Sequence, residues 1–128
     1  MWAMFVVGAV YLALGIWCTL DPAGTSANVG FQLMDGQGRS EFVTVYGGLE
    51  VGLGAAMILT GMSPQLRIGG LAFAAIVSVA LVVFRVPTLF RYEVPTKIYL
   101  FVIAEIITAA WLSWQYFAIK GTPVELST

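Results

Sequence analysis

Ser40–Gly61, SEFVTVYGGLEVGLGAAMILTG, decides how this 128-residue chain is read. It is apolar and long enough to cross a bilayer core, which takes about 20 residues for about 30 Å. A single carboxylate, Glu50, stands near its middle. Gly47, Gly54 and Gly61 recur at a spacing of seven, and Glu50 lies on the same side as Gly47 and Gly54. Gly48 and Gly52 make a second small-residue seam, a GxxxG, on roughly the opposite side. The stretch therefore reads as a membrane helix with two close-packing faces, central to whatever it packs in.

Working outward, four apolar segments reach spanning length: Trp2–Leu20, Phe42–Gly61, Leu66–Val86 and Ile98–Ile119. They predict an all-α, single-domain, four-helix transmembrane bundle over residues 1–128. Composition agrees: only 10% of the residues are charged, against about a quarter in soluble domains. Six basic and seven acidic residues nearly balance, so no nucleic-acid partner is expected. There is no histidine and one cysteine, Cys18. That excludes His–Cys zinc sites, CxxC redox motifs, thiolate-held iron–sulfur clusters, His-ligated haem and any disulfide within the chain. The first segment has no basic stretch before it and outruns a signal h-region, so it reads as a retained helix.

Punctuation fills in the connections. Helix 1 carries Gly8 and Gly15 on one face with Tyr11 between them, a packing seam. Asp21-Pro22-Ala23 predicts a short interfacial helix closing near Gly30. FQLM at 31–34 followed by Asp35-Gly36 predicts a small hairpin outside the membrane. The connection Gly61-Met62-Ser63-Pro64-Gln65 is tight and makes helices 2 and 3 antiparallel neighbours. Gly70, Ala74 and Ser78 form a small-residue stripe on helix 3, and Arg85 continues it seven residues on. Val86-Pro87 is expected to stop or kink that helix. Pro95-Thr96 restarts the chain as helix 4, with Glu105 flanked on its face by Phe101, Val102, Thr108 and Ala109. Trp111, Trp114 and Tyr116 suit an interfacial aromatic belt, and the polar tail runs from Lys120 to Thr128. Positive charge in the loops holding Arg39, Arg85, Arg91 and Lys97 exceeds that at Arg67 and Lys120, favouring termini outside.

Chemistry concentrates in few residues. Glu50 and Glu105 fall at similar depth, roughly 15 Å from the ends of parallel helices. If they face each other, they are expected to share a proton. Arg85 is the obvious countercharge, and Tyr11, Tyr46, Ser78 and Thr108 supply hydroxyls. Arg39 and Glu41, at the mouth of helix 2, either close this network from above or form a solvated interfacial pair. Two readings of the cluster stand: a substrate, ion or proton site, and a structural ion pair fixing helix register. The glycines of GGLEVGLG follow no strand, so a dinucleotide site fails on context. Two glutamates without histidine make a poor di-iron site, so neither a metal site nor a catalytic residue is assigned.

A first helix ending in Asp-Pro, then RSEFVTVYGGLEVGLG, an arginine late in helix 3 and a glutamate midway in helix 4 together resemble a bacterial family of four-helix membrane proteins. That family is labelled only as a domain of unknown function and grouped with the DoxX-like superfamily. The resemblance covers nearly the whole chain and is most specific at Arg39-x-Glu41, Tyr46-Gly47-Gly48 and Gly52-x-Gly54. It implies polar family positions at Arg39, Glu41, Tyr46, Arg85 and Glu105. Members commonly carry an arginine just before an Ala-Val-Tyr-Gly-Gly run, where this chain reads Phe42-Val43-Thr44-Val45. The expected function is a non-catalytic accessory subunit, or a binder of a lipid-like or quinone-like molecule, in the bacterial cytoplasmic (inner) membrane. No cofactor is evident beyond a bound lipid or quinone, and the expected partners are the bilayer, a larger membrane complex or a homo-oligomer. The alternatives are a proton-coupled small transporter working as an oligomer and the membrane subunit of a quinone-linked redox system.

Overall fold

The apolar runs of the sequence become helices end to end. A computed structural model describes residues 2–121, which contain helices, turns and loops and no strand. The tail assigned to Lys120–Thr128 falls, from residue 122 onward, outside the described residues. Helix α1 is Trp2–Leu20 and α2 is Pro22–Asn28. Next come α3, Gln37–Phe42, a π-helical segment, Val43–Leu49, and α4, Glu50–Met62. These three are continuous and make one helical run, Gln37–Met62. Helix α5 is Arg67–Arg91 and α6 is Thr96–Lys120. Four helical runs, namely Trp2–Leu20, Gln37–Met62, Arg67–Arg91 and Thr96–Lys120, are long and apolar enough to cross a membrane. Large apolar side chains such as Trp2, Ile76, Phe84 and Phe90 stand fully outward on them, a surface suited to lipid rather than water. Length, composition and surface are those of a multi-pass membrane protein.

Two expectations fail, each for a local reason. The hairpin does not form. Residues 31–34 have no regular structure, and Asp35-Gly36 turns straight into α3. Gly36 takes φ +73°, a left-handed value that glycine adopts without strain, and caps the helix. The Arg39 N–H donates to Met34 O at 3.3 Å and the Ser40 N–H to Gly36 O at 2.9 Å, so the turn winds directly into helix. Of the stop or kink expected at Val86-Pro87, the stop does not occur, since α5 runs through Pro87 to Arg91. Thr88 Oγ1 donates to Arg85 O at 2.6 Å on the turn that the proline weakens. Such hydroxyl bonds help membrane helices to tolerate proline.

Helix α2 follows its punctuation closely. Asp21 caps it, its Oδ1 accepting from the Gly24 N–H at 3.0 Å, with Pro22 at the first helical position. Thr25 and Ser26 are buried beneath, their hydroxyls donating to Asp21 O and Ala23 O. Gly30, at φ +84°, turns the chain away after the helix. Asp21→Ala is expected to cost about 1 kcal/mol. Hydrogen exchange that is no faster at Gly24 and Thr25 in this variant would show the cap to be idle.

The chain groups into two compact units, Phe5–Leu59 and the first residues through Met4 together with the chain from Thr60 onward. In the first unit α1 lies antiparallel against the π segment and α4. Gly8, Gly15, Gly47 and Gly54 are buried there. A methyl on Gly15 would sit 2.8 Å from Gly47 O and Val51 N, and one on Gly54 would sit 2.6 Å from Gly8 O. The two backbones thus touch at both ends of the seam, an approach that small residues alone permit. In the second unit α5 and α6 pack along each other through Leu71, Ala74, Ala75 and Ser78 on one side and Val102, Ala109 and Leu112 on the other. Gly70 faces Thr60 and the end of Met4. Arg67 Nε donates to Gly61 O at 3.3 Å and ties down the short connection before α5.

Candidate functional site: an arginine–glutamate pair and a lone glutamate

Arg85 stands on α5 six residues before its last residue, Arg91, and Glu105 on α6 nine residues after Thr96. At 1.5 Å per residue those positions are roughly 9 Å and 14 Å from the nearer helix ends, well inside the apolar runs. The antiparallel pairing of the helices brings the two side chains together. Arg85 Nε donates to Glu105 Oε1 at 3.0 Å and Oε2 at 2.8 Å. One edge of the guanidinium is thereby spent. Its Nη groups form no hydrogen bond among the described residues. The pair is not sealed, since the side chains are 40% and 21% exposed. Ser78, on the same stripe two turns before Arg85, is buried with its Oγ unpartnered among the described residues.

Glu50 belongs to the other unit. It is the first residue of α4, directly after the π segment, and near the midpoint of the run Gln37–Met62. The side chain is half-buried, and Oε2 is shut away with no hydrogen-bond partner among the described residues. Cys18, on α1 of the same unit, is buried. No described cation forms an ion pair with Glu50. The structure thus joins Arg85 with Glu105, while no ion pair involves Glu50 among the described residues.

The remaining residues divide similarly. Tyr46 stacks on Phe42 at 4.7 Å between ring centroids, and Phe31 meets both rings edge-on. Arg39 pairs with Asp35 at 3.2 Å, both largely exposed, so its partner is Asp35 and Glu41 stands exposed nearby in sequence. Tyr11 is half-buried on α1. Gly48 and Gly52 are exposed, with nothing among the described residues within 4 Å of a methyl placed on either. Among the described residues no three acidic, cysteine or histidine side chains gather as a metal site. In the sequence, Phe31 and Asp35 serve only as hairpin signals and Phe42 only as the start of a span, with no partner assigned to any of them. Asp35–Arg39 and Phe42–Tyr46 are both i, i+4 pairs, a signal that emerges once the helix is known to begin before Phe42.

The chain belongs to the family described as a domain of unknown function (DUF4345), which matches residues 1–116. No curated protein and no solved structure matches it.

Proposed function

We propose that this DUF4345 member is a non-catalytic accessory protein of the bacterial cytoplasmic membrane that binds a lipid-like molecule by its polar head at Arg85. The observation that carries this reading is the one-edged grip of Glu105 on Arg85. Guanidinium offers five N–H donors in a rigid fork. An arginine within an apolar span needs acceptors for them. Glu105 fixes the plane of the fork and balances its charge, while the Nη groups form no hydrogen bond among the described residues and the side chain is 40% exposed. An already balanced pair favours a neutral head with strong acceptors over an anion, and the carbonyls of a quinone have that character. The exposed apolar side chains on α5, such as Val79, Val83 and Phe84, suit a hydrocarbon tail.

Kinship with DoxX-like proteins would fit a quinone, by analogy of fold alone. Termini outside remain the favoured orientation. With Arg85 paired inside the span, Arg39, Arg91 and Lys97 still outnumber Arg67 and Lys120.

Native mass spectrometry of the protein released from its own membranes tests the reading. The expected result is a discrete small-molecule adduct on the wild type that is lost in Arg85→Ala and weakened in Arg85→Lys, whose ammonium lacks the planar fork. A bare protein, or an adduct indifferent to both changes, would overturn it. A larger protein partner with no small adduct would leave the accessory role and remove the ligand.

A further inference from the structure

We propose that Glu50 is a proton-binding site in the membrane-spanning part of the chain, and its test does not depend on any ligand at Arg85. Glu50 Oε2 is buried with no donor among the described residues. A bare carboxylate oxygen in an apolar setting is costly unless something positive meets it. Within the Phe5–Leu59 unit nothing does. Arg39 is the sole cation of that stretch, and it is committed to Asp35 at the exposed start of α3.

The elements against Glu50 in this unit carry no countercharge. Helix α1 holds no charged residue, and its titratable groups are Tyr11 and Cys18. On its own run, Tyr46 stacks with Phe42 one turn before Glu50, and Glu41 lies exposed near the start. On α2, Asp21 is engaged in capping.

A metal cation does not fit. Hard cations take six or more oxygen ligands as a rule, and among the described residues no cluster of acidic side chains surrounds Glu50. A proton needs only the one carboxyl. The side chain is half-buried, not sealed within the unit. The π-helical turn immediately before Glu50 adds weight, since such turns inside α-helices occur frequently at functional sites.

A hydrophobic carbodiimide tests this on the full chain in its own membranes. The reagent adds across a protonated carboxyl: the acid proton moves to a carbodiimide nitrogen while the carboxylate oxygen bonds its central carbon. The adduct then rearranges to a stable N-acylurea, with nothing leaving. Dicyclohexylcarbodiimide labelling followed by peptide mass spectrometry is expected to modify Glu50 and spare Glu105, which is held by Arg85. Labelling should fall progressively as the buffer is made alkaline. No adduct on Glu50 even in acid, or labelling indifferent to pH, would overturn the proposal. Infrared difference spectra between acid and alkaline samples provide the second reading. A carboxylic-acid carbonyl band present in acid, lost in alkali, and absent from Glu50→Gln but not from Glu105→Gln supports the assignment. The same band persisting in Glu50→Gln would assign the proton elsewhere. Neither readout depends on whether a molecule binds at Arg85.

Discussion

Glu105→Leu is expected to destabilise the fold by about 2 kcal/mol, the order of cost of an unpaired arginine inside an apolar span. The change leaves the Arg85 guanidinium without the two carboxylate contacts at 2.8 and 3.0 Å that now hold it. The leucine itself is tolerated, because α6 already carries Ile103, Ile106 and Ile107 around that position. The effect should therefore belong to the stranded cation. A second change identifies it as such. Arg85→Met combined with Glu105→Leu is expected to return to within about 1 kcal/mol of the wild type, as replacement of a whole ion pair by apolar side chains often does. Reversible unfolding in mixed micelles measures both. If Glu105→Leu unfolds like the wild type, the pair contributes nothing to stability. If the double variant is no better than the single, the loss came from packing.

Gly54→Val is expected to be the more damaging of the two, by about 3 kcal/mol. A methyl on Gly54 already lies 2.6 Å from Gly8 O and 2.8 Å from Leu12 N, and both are backbone atoms that no rotamer change can move. The helices must separate, which opens the whole α1 seam. The control lies two residues away. Gly52→Ala meets nothing among the described residues within 4 Å, and should be neutral or gain up to about 1 kcal/mol from the helix preference of alanine over glycine. The same unfolding assay compares them. Equal losses at both positions would mean that the α1 seam is not where the glycines matter.

These contrasts also show what the amino-acid sequence reveals and what it conceals. Periodicity exposes the four spans, because apolar length is a property of each segment alone. It likewise exposes the Gly47–Gly54 stripe, whose partner stripe Gly8–Gly15 repeats the same spacing in α1. The capped helix at Asp21-Pro22 is legible for the same reason, its signals being contiguous. What the sequence leaves open is the assignment of partners. Arg85 has two acids at comparable depth, and nothing in spacing chooses between them; packing of α5 on α6 selects Glu105. Gly48 and Gly52 look as suited to a seam as Gly47 and Gly54, yet they stand exposed. Strand-like alternation at 31–34 is too short to outweigh a helix that can begin at Gln37. The widened turn at Val43–Leu49 leaves no local mark at all, since valine, threonine and tyrosine give no hint of it.

That widened turn bears on how the two ends of the span answer to selection. An α-helix is a rigid phase: a residue added anywhere rotates everything beyond it by about 100°. A π turn absorbs such a residue locally, because its hydrogen bonds reach one residue further. Between Val43 and Leu49 the helix holds such a turn. On one side Phe42 keeps its register with Phe31, and on the other Gly54 keeps its register with Gly8. The turn itself carries Tyr46 of the aromatic mouth and Gly47 of the glycine seam, so it is where the two features meet. Glu50 is the first residue beyond it.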